Sequence, residues 1–519
     1  MTAAMDVGAD RVAAELAGWL KATLPAGGQL RSDSRAVKPG DAFFAYPGER
    51  SDGRAYASQA LARGASALLY EQNDQDSGQQ WSVPSRGVRH LKRLSGPIAH
   101  AYFDAPTAHL QVLAVTGTNG KTSCSQWMAQ GLQSLGRRSA VIGTLGAGRP
   151  DMLTDFGLTT PDALALQAQF ADFRRQGVEA VAMEASSIGL EQHRLDGTCI
   201  AVAVFTNLTR DHLDYHGTMP AYARAKARLF AWPALRAAVL NLDDPWSATM
   251  RAALSSSTPC IAYGIEASPA DDAARAARAA HTGPRLLATA IESTAQGMRM
   301  TLDGDWGTAA LETPLIGRFN VANLLAVASA WLALGVPFDA AVAQLRTLTP
   351  VPGRLQPVSV PGAAGPLAVV DYAHTPDALS NALAALRPVT QARGGKLWCI
   401  VGAGGDRDPG KRPLMGAVAE RDADHAVITS DNPRSEAPEQ ILDDIVGGMS
   451  RAPRLRDADR ARTIAAVLDD AAVQDVVLIA GKGHEVYQDI AGVRHPFDDR
   501  DHAAQALTRR ALREGARRV

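Results

Sequence analysis

The stretch QVLAVTGTNGKTSCSQWMAQGLQSLG, residues 111–136, decides the fold. A β-branched apolar run ends at a glycine, a short Gly/Asn turn follows, and a helix-length amphipathic segment begins near Lys121. A buried strand that turns through glycines into a helix makes a phosphate-binding loop. Gly117 and Gly120 let the backbone wrap an anion, and the helix N-terminus aims its N–H groups at it. Thr118, Asn119 and Ser123 complete the loop, Lys121 adds a charge, and the Thr122 hydroxyl can reach Mg²⁺. ATP is the natural ligand. The loop departs from the common G-x-x-x-x-G-K-[ST] pattern, because Val115 stands where the first glycine should be.

Outward from this loop, short β-branched runs keep alternating with amphipathic segments. RRSAVIGT, VEAVAMEAS, IAVAVFTNL, MPAYARAKARLFAW and RAAVLNLD continue the rhythm of a parallel sheet covered by helices. The reading is an α/β protein of three domains. A large central domain spans 107–349, interrupted by an Ala-rich polar stretch, EASPADDAARAARAAHTG, expected as a surface insertion. Prolines and glycines in TPVPGRLQPVSVPGAAGP mark a boundary near Pro350, after which the alternation restarts over 350–519. In that part KLWCIVGAGG, DHAVITSDNP and DVVLIAGKGHE are strands ending in polar loops, where open α/β sheets bind ligands. Residues 1–106 form a smaller α/β unit whose polar stretch EQNDQDSGQQ has no assigned structure.

Composition narrows the function classes. The 519 residues are 46% hydrophobic and 21% charged, with 53 Lys+Arg against 54 Asp+Glu. A net charge of -1 gives no general attraction for nucleic acid or anionic membrane, so any bound anion needs a local site. The N-terminal segment carries Asp6, Asp10, Arg11 and Glu15 where a secretory signal needs an apolar core, so a cytoplasmic protein is expected. Cys124, Cys199, Cys260 and Cys399 are too scattered for a disulfide framework or zinc cluster. A monomer is expected.

TGTNGKTS, MEASSIGLEQHR, TNLTRDHLDYHGTMPAYARAKARLF, GRFNVANLLA and DYAHTPDAL together resemble the Mur ligase family, in the family's order. GGDRDPGKRPLM, DNPR and GKGHE narrow the resemblance to members that add meso-2,6-diaminopimelate as the third peptide residue. The resemblance implies an N-terminal UDP-binding domain, a central ATPase domain of the P-loop type and a Rossmann-like C-terminal domain. It also implies a UDP-N-acetylmuramoyl-dipeptide as the acceptor of the amino acid.

Glu184 ends a strand and His212 follows another, so both can reach the crevice beside the phosphate loop. Read alone, either fits a solvent-facing carboxylate or a packing histidine; the resemblance makes both Mg²⁺ ligands with Thr122. Lys226 lies on a helix where Arg224 and Arg228 step around a solvated face. The resemblance implies instead that Lys226 is carbamylated (N6-carboxylysine) and carries two anionic oxygens toward Mg²⁺. Asn320 and Asn323, at i and i+3, could read a base edge or cap their helix.

By resemblance, Arg354, Asp371 and His374 complete the ATP site from the C-terminal side. Ser34, Glu49, Arg50 and Ser51 face the uridine end of the substrate. Thr159, Thr160, Ser186, Gln192 and Arg194 hold the muramoyl-peptide, while Leu158 and Ile188 replace the Asn and His expected beside them. Arg407, Asp431, Asn432, Pro433, Arg434, Gly481 and Glu485 lie on the three C-terminal strand-end loops and are expected to select the amino acid. A lysine-adding Mur ligase or a folylpolyglutamate synthetase would share the central domain, and DNPR argues against both. A P-loop ATPase that drives movement without making a bond is the alternative from another class.

Overall fold

The computed structural model describes residues 2–49, 51–73, 80–154, 157–266, 281–294, 297–358, 360 and 365–516. Arg50, the middle of the EQNDQDSGQQ stretch and most of the Ala-rich insertion lie outside them.

Among the described residues the strands form three large sheets and one hairpin. The N-terminal sheet runs Leu30–Arg31, Ala42–Ala45, Ala67–Glu71, Ser85–Val88, all parallel. Thr2–Thr23 and Leu91–Tyr102 are helices that share one core with this sheet.

The central sheet has eleven strands among the described residues. From one edge they are Gly307–Thr313, Gly297–Gly304, Arg285–Thr294, Cys260–Ile265, Ala237–Asn241 and Val202–Phe205. Gln111–Thr116, Ala180–Glu184, Ser139–Gly143, Gly146–Arg149 and Met152–Thr154 complete the order. The middle is parallel and each edge ends in antiparallel hairpins. Gln111–Thr116, the strand that leads into the phosphate loop, lies near the centre. Its alternate residues feed opposite cores: Leu113 and Val115 pack with Trp127, Leu324 and Trp331, and Val112 and Ala114 with Phe170, Met183 and Tyr222. A sheet covered on both faces needs apolar residues in both registers, which is why these strands read as unbroken apolar runs.

The helix Lys121–Ser134 meets Arg318–Ala333 where Gly131 leaves room for the Trp331 indole. Trp331 Nε1 donates to Met128 O at 3.1 Å. A methyl group at position 131 would overlap that ring, so Gly131→Ala should lower stability by about 1–3 kcal/mol in urea titration. An unchanged midpoint would show that the two helices can move apart.

The C-terminal sheet runs Gln356–Val358, Leu367–Asp371, Val476–Ala480, Leu397–Val401, His425–Thr429, Leu455–Asp457, parallel except for the first strand. Val351 still packs in the central core and Leu355 already packs in the C-terminal one, so the chain changes cores within the proline-rich segment. No helix of the described residues is long and apolar enough to cross a membrane.

Candidate active site

The turn after Gln111–Thr116 is held from the neighbouring strand end. Asn207 accepts from Asn119 N through its side chain (2.9 Å) and from Thr118 N through its carbonyl (2.8 Å). Gly117 adopts φ 154°, and a Cβ there would strike Thr206 Oγ1. Gly120 adopts φ 86°, with its open face filled by the Asn323 side chain. These two contacts account for the glycines of the motif. The helix starts at Lys121, as the sequence reading expects.

Lys121 Nζ donates to Gly117 O (2.8 Å) and Thr118 O (2.7 Å). Lys226 Nζ donates to the same Gly117 carbonyl at 2.8 Å, although 109 residues separate them. The solvated-face reading of Lys226 is wrong: the residue is 1% exposed, while Arg224 on the same helix points to solvent. Its helix, Met219–Ala227, packs beneath the phosphate loop, with Tyr222 reaching Thr118 Oγ1 at 3.2 Å. Burial pushes the Lys226 amine well below the ordinary lysine range, and the positive Lys121 beside it pushes further in the same direction. Both effects favour the uncharged amine. Lys121 is also lowered by burial, but Glu184 and Asp211 work against that shift.

Glu184 is buried at the end of its strand, with Thr144 N at 2.8 Å from Oε1 and Thr144 Oγ1 at 3.1 Å from Oε2. His212 adopts φ 51°, next to Asp211, whose carboxylate accepts from the His212 backbone N–H. Burial lowers the His212 ring below the usual histidine range; Asp211 opposes this, and Lys121 and Lys226 reinforce it.

The C-terminal sheet supplies the opposite wall. Arg354 donates from Nη2 to Thr122 Oγ1 at 3.1 Å and stacks on the Tyr372 ring at 4.4 Å. Asp371 receives Leu355 N at 2.7 Å, and burial raises its carboxyl although Arg354 draws it down. His374 donates through Nδ1 to Tyr372 O at 2.8 Å, and burial lowers its ring to about 4. Asn119 Nδ2 meets Asp377 at 3.3 Å, a second bridge between the phosphate loop and the C-terminal part.

Between these walls lies a cleft of about 720 Å³. It is lined by Thr118 through Ser123, Glu184, His212, Lys226, Arg354, Asp371 and His374, and on one flank by Thr159, Thr160, Ser186 and Arg194. Arg407 faces it from the C-terminal side, and Leu158 and Ile188 lie at the substrate flank. Asn323 lines it too, whereas Asn320 lines a smaller pocket with Ser123 and Arg354, donating from Nδ2 to Ile316 O (2.8 Å) and accepting at Oδ1 from Asn323 (3.1 Å).

Thr160 ties the flank together, donating to Glu184 O at 3.0 Å and accepting from Ser186 N at 3.1 Å, while Ser186 caps the following short helix. Arg194 reaches Thr160 O (2.8 Å) and Gln192 Oε1, and Gln192 and Tyr215 both donate to Glu49. Glu49 is thereby joined to the cleft through Gln192. Ser34 stands apart, donating to Gln59 at 2.7 Å, and Ser51 is exposed with its carbonyl taken by Gly48 N.

The remaining predicted residues cluster at the C-terminal strand ends. Asn432 Nδ2 donates to Glu485 at 2.7 Å, Asp431 lies against Gly481, and Arg434 Nη1 donates to Gly405 O at 2.5 Å, close to Arg407. Arg434 adopts φ 51° directly after Pro433, fixed by Arg434 N to Asp489 O at 2.9 Å. The sequence reading missed Thr144, Asn207 and Tyr372. Asn207 and Tyr372 sit inside motifs it quoted, whereas nothing in the local pattern marks Thr144.

Three family models match the chain: the Mur ligase family catalytic domain over 29–96, the Mur ligase middle domain over 115–331, and the Mur ligase glutamate ligase domain over 353–483. The UDP-N-acetylmuramoyl-L-alanyl-D-glutamate–2,6-diaminopimelate ligase of Ralstonia nicotianae is 50% identical over 95% of this chain and 96% of its own. The chain belongs to the Mur ligase family. The ligase of the same name from Acidovorax sp. is 48% identical to this Mur ligase over 96% of the chain and 97% of its own. A solved structure of another ligase of that name aligns at 38% identity with a TM-score of 0.64, covering 93% of this chain and 94% of that one. This Mur ligase is an ATP-dependent enzyme that forms amide bonds.

Proposed function

We propose that this chain joins meso-2,6-diaminopimelate to the D-Glu side-chain carboxylate of UDP-N-acetylmuramoyl-L-alanyl-D-glutamate in peptidoglycan precursor synthesis, with ATP cleaved to ADP and phosphate. The observation that supports it is one cleft, which joins a phosphate loop, a carboxylate-bearing floor and Arg407 from one of the C-terminal strand-end loops. Residues 1–106 serve the UDP end, 107–349 ATP, and 350–519 the amino acid. Both small substrates are soluble, so a cytoplasmic monomer working without nucleic acid or membrane fits this chemistry.

The γ-phosphoryl group of ATP passes to the D-Glu carboxylate, giving an acyl phosphate. The neutral amine then attacks the acyl carbon, the C–O bond to phosphate breaks, and phosphate leaves with the former carboxylate oxygen. The amine's proton is lost to solvent. Lys121 turns from Gly117 O and Thr118 O to the transferring phosphoryl group, and the N–H groups at the start of the helix Lys121–Ser134 hold the neighbouring phosphates. Arg354, Asp371 and His374 close on the nucleotide, with Asn320 bracing the amide of Asn323 at the loop. No covalent intermediate on the protein is needed, because catalysis rests on positioning and electrostatics.

Thr122 and Glu184, which line the cleft beside the phosphate loop, are oxygen donors of the kind that Mg²⁺ takes. Among the described residues no three His, Cys, Asp or Glu form a metal cage, and a metal shared with phosphates needs only one or two protein groups. Thr122, Glu184, His212 and a carbamate on Lys226 would hold it. When bound, Mg²⁺ offsets negative charge on the phosphates. Burial beside Lys121 favours the uncharged form of the Lys226 amine, the form that reacts with CO₂, and the resulting anion would pair with Lys121 instead of repelling it.

Labelling the D-Glu side-chain carboxylate with ¹⁸O tests the route. One labelled oxygen should appear in released phosphate for every amide formed, and unlabelled phosphate would contradict the acyl phosphate.

A further inference from the structure

Two of the loops assigned to the amino acid leave strands that are not neighbours. His425–Thr429 leads into Asp431, Asn432 and Arg434, and Val476–Ala480 leads into Gly481 and Glu485, with Leu397–Val401 between them. One side chain spans the gap. Arg460, at the start of the helix Arg460–Asp470, donates from Nη1 to Ser430 O at 3.2 Å and from Nη2 to Ala480 O at 2.9 Å. Ser430 and Ala480 are the residues immediately before the two loops.

Asp499, the first residue of the helix Asp499–Ala516, grips the same guanidinium with two bonds of 2.7 Å, Nε to Oδ1 and Nη2 to Oδ2. Both side chains are 0% exposed. The planar fork of arginine meets one carboxylate and two carbonyls at once, and a lysine ammonium has no such geometry. The loops are tied a second time where Lys482 Nζ reaches Asn432 Oδ1 (3.0 Å) and Glu485 Oε2 (3.1 Å). The phosphate loop stands on another sheet.

We infer that the Arg460–Asp499 pair positions the amino-acid site, setting the distance between the loop of Asp431, Asn432 and Arg434 and the loop of Gly481 and Glu485. This rests on the substrate reading proposed above. Arg460 touches no substrate; it is a positioning residue that acts through the two backbone carbonyls. A pair serving fold stability alone would influence every substrate alike, whereas a clamp on these two loops acts on one.

The test uses the full chain and two variants. Arg460→Lys keeps the charge and loses the fork, and Arg460→Met/Asp499→Leu removes both charges so that neither is left buried and unpaired. KM is measured for meso-diaminopimelate, ATP and the UDP-dipeptide, with kcat and thermal melting alongside. In both variants KM for meso-diaminopimelate should rise roughly ten- to a hundredfold, while the other two KM values and kcat at saturation stay within about threefold. An unchanged KM for the amino acid overturns the inference. A parallel rise in all three KM values overturns it too, as does failure of both variants to fold, because each assigns the pair to stability. Wild-type enzyme in the same assay separates the two levels: no turnover with meso-diaminopimelate removes the substrate reading itself, and normal wild-type turnover with unaffected variants removes only the clamp.

Discussion

Replacing Lys226 by alanine should reduce kcat on the order of a hundred- to a thousandfold, the scale seen when one charge-stabilising group leaves a closed active site. The expectation rests on burial. Lys226 and Lys121 converge on one carbonyl, a poor arrangement for two ammonium groups and a good one for an ammonium beside a carbamate. An unmodified cationic lysine would also repel Mg²⁺. Alanine removes the two oxygens and leaves a space of their size, so added formate or acetate should restore part of the rate by occupying it. Near-normal turnover of Lys226→Ala would contradict the role. A large loss without any rescue would leave Lys226 as a packing group of the phosphate loop.

The second large effect concerns selectivity. meso-Diaminopimelate resembles lysine with a second carboxylate at its far end. Arg434 can fork two N–H donors onto that carboxylate, with Arg407 adding a donor and Glu485 receiving the far amino group. Lysine would bring an ammonium toward the guanidinium and leave Arg434 facing a like charge. Truncating one partner of a desolvated charge pair costs about 2–5 kcal/mol. That corresponds to roughly thirty- to several-thousandfold in kcat/KM for meso-diaminopimelate over lysine. Arg434→Ala should therefore damage use of meso-diaminopimelate far more than residual use of lysine. Equal losses with both amino acids, or a wild-type preference for lysine, would sink this assignment and leave the ligase chemistry standing.

The backbone geometry behind Arg434 supports the same reading. An arginine at φ 51° is held there against its own preference, by a hydrogen bond to Asp489 on a hairpin that braces the loop. A turn with an idle surface arginine would need no such brace.

The parts of this protein that sequence makes legible are those whose geometry is local. A strand, a glycine turn and a helix start within a dozen residues determine the phosphate loop, and its neighbours Thr206 and Asn323 show why Gly117 and Gly120 are needed. Prolines break the β/α rhythm near Pro350, and in the structure Val351 packs in one core and Leu355 in the next. What was hidden depends on distant packing. Lys226 reads as part of a solvated basic face because the pattern of its own helix carries no sign of the loop packed over it. The Arg460–Asp499 pair spans 39 residues and joins elements that look like ordinary amphipathic helices, so no local signal marks it.

The central claim is that phosphate release is bound to amide formation, and the most direct measurement is an omission series. Phosphate and amide product are measured with ATP, the UDP-dipeptide and meso-diaminopimelate together, and again with each left out. The account predicts one phosphate per amide with all three present, and no sustained release when either the dipeptide or the amino acid is missing. Sustained phosphate release without the amino acid would contradict it, and would make this chain an ATPase whose hydrolysis serves something other than bond formation.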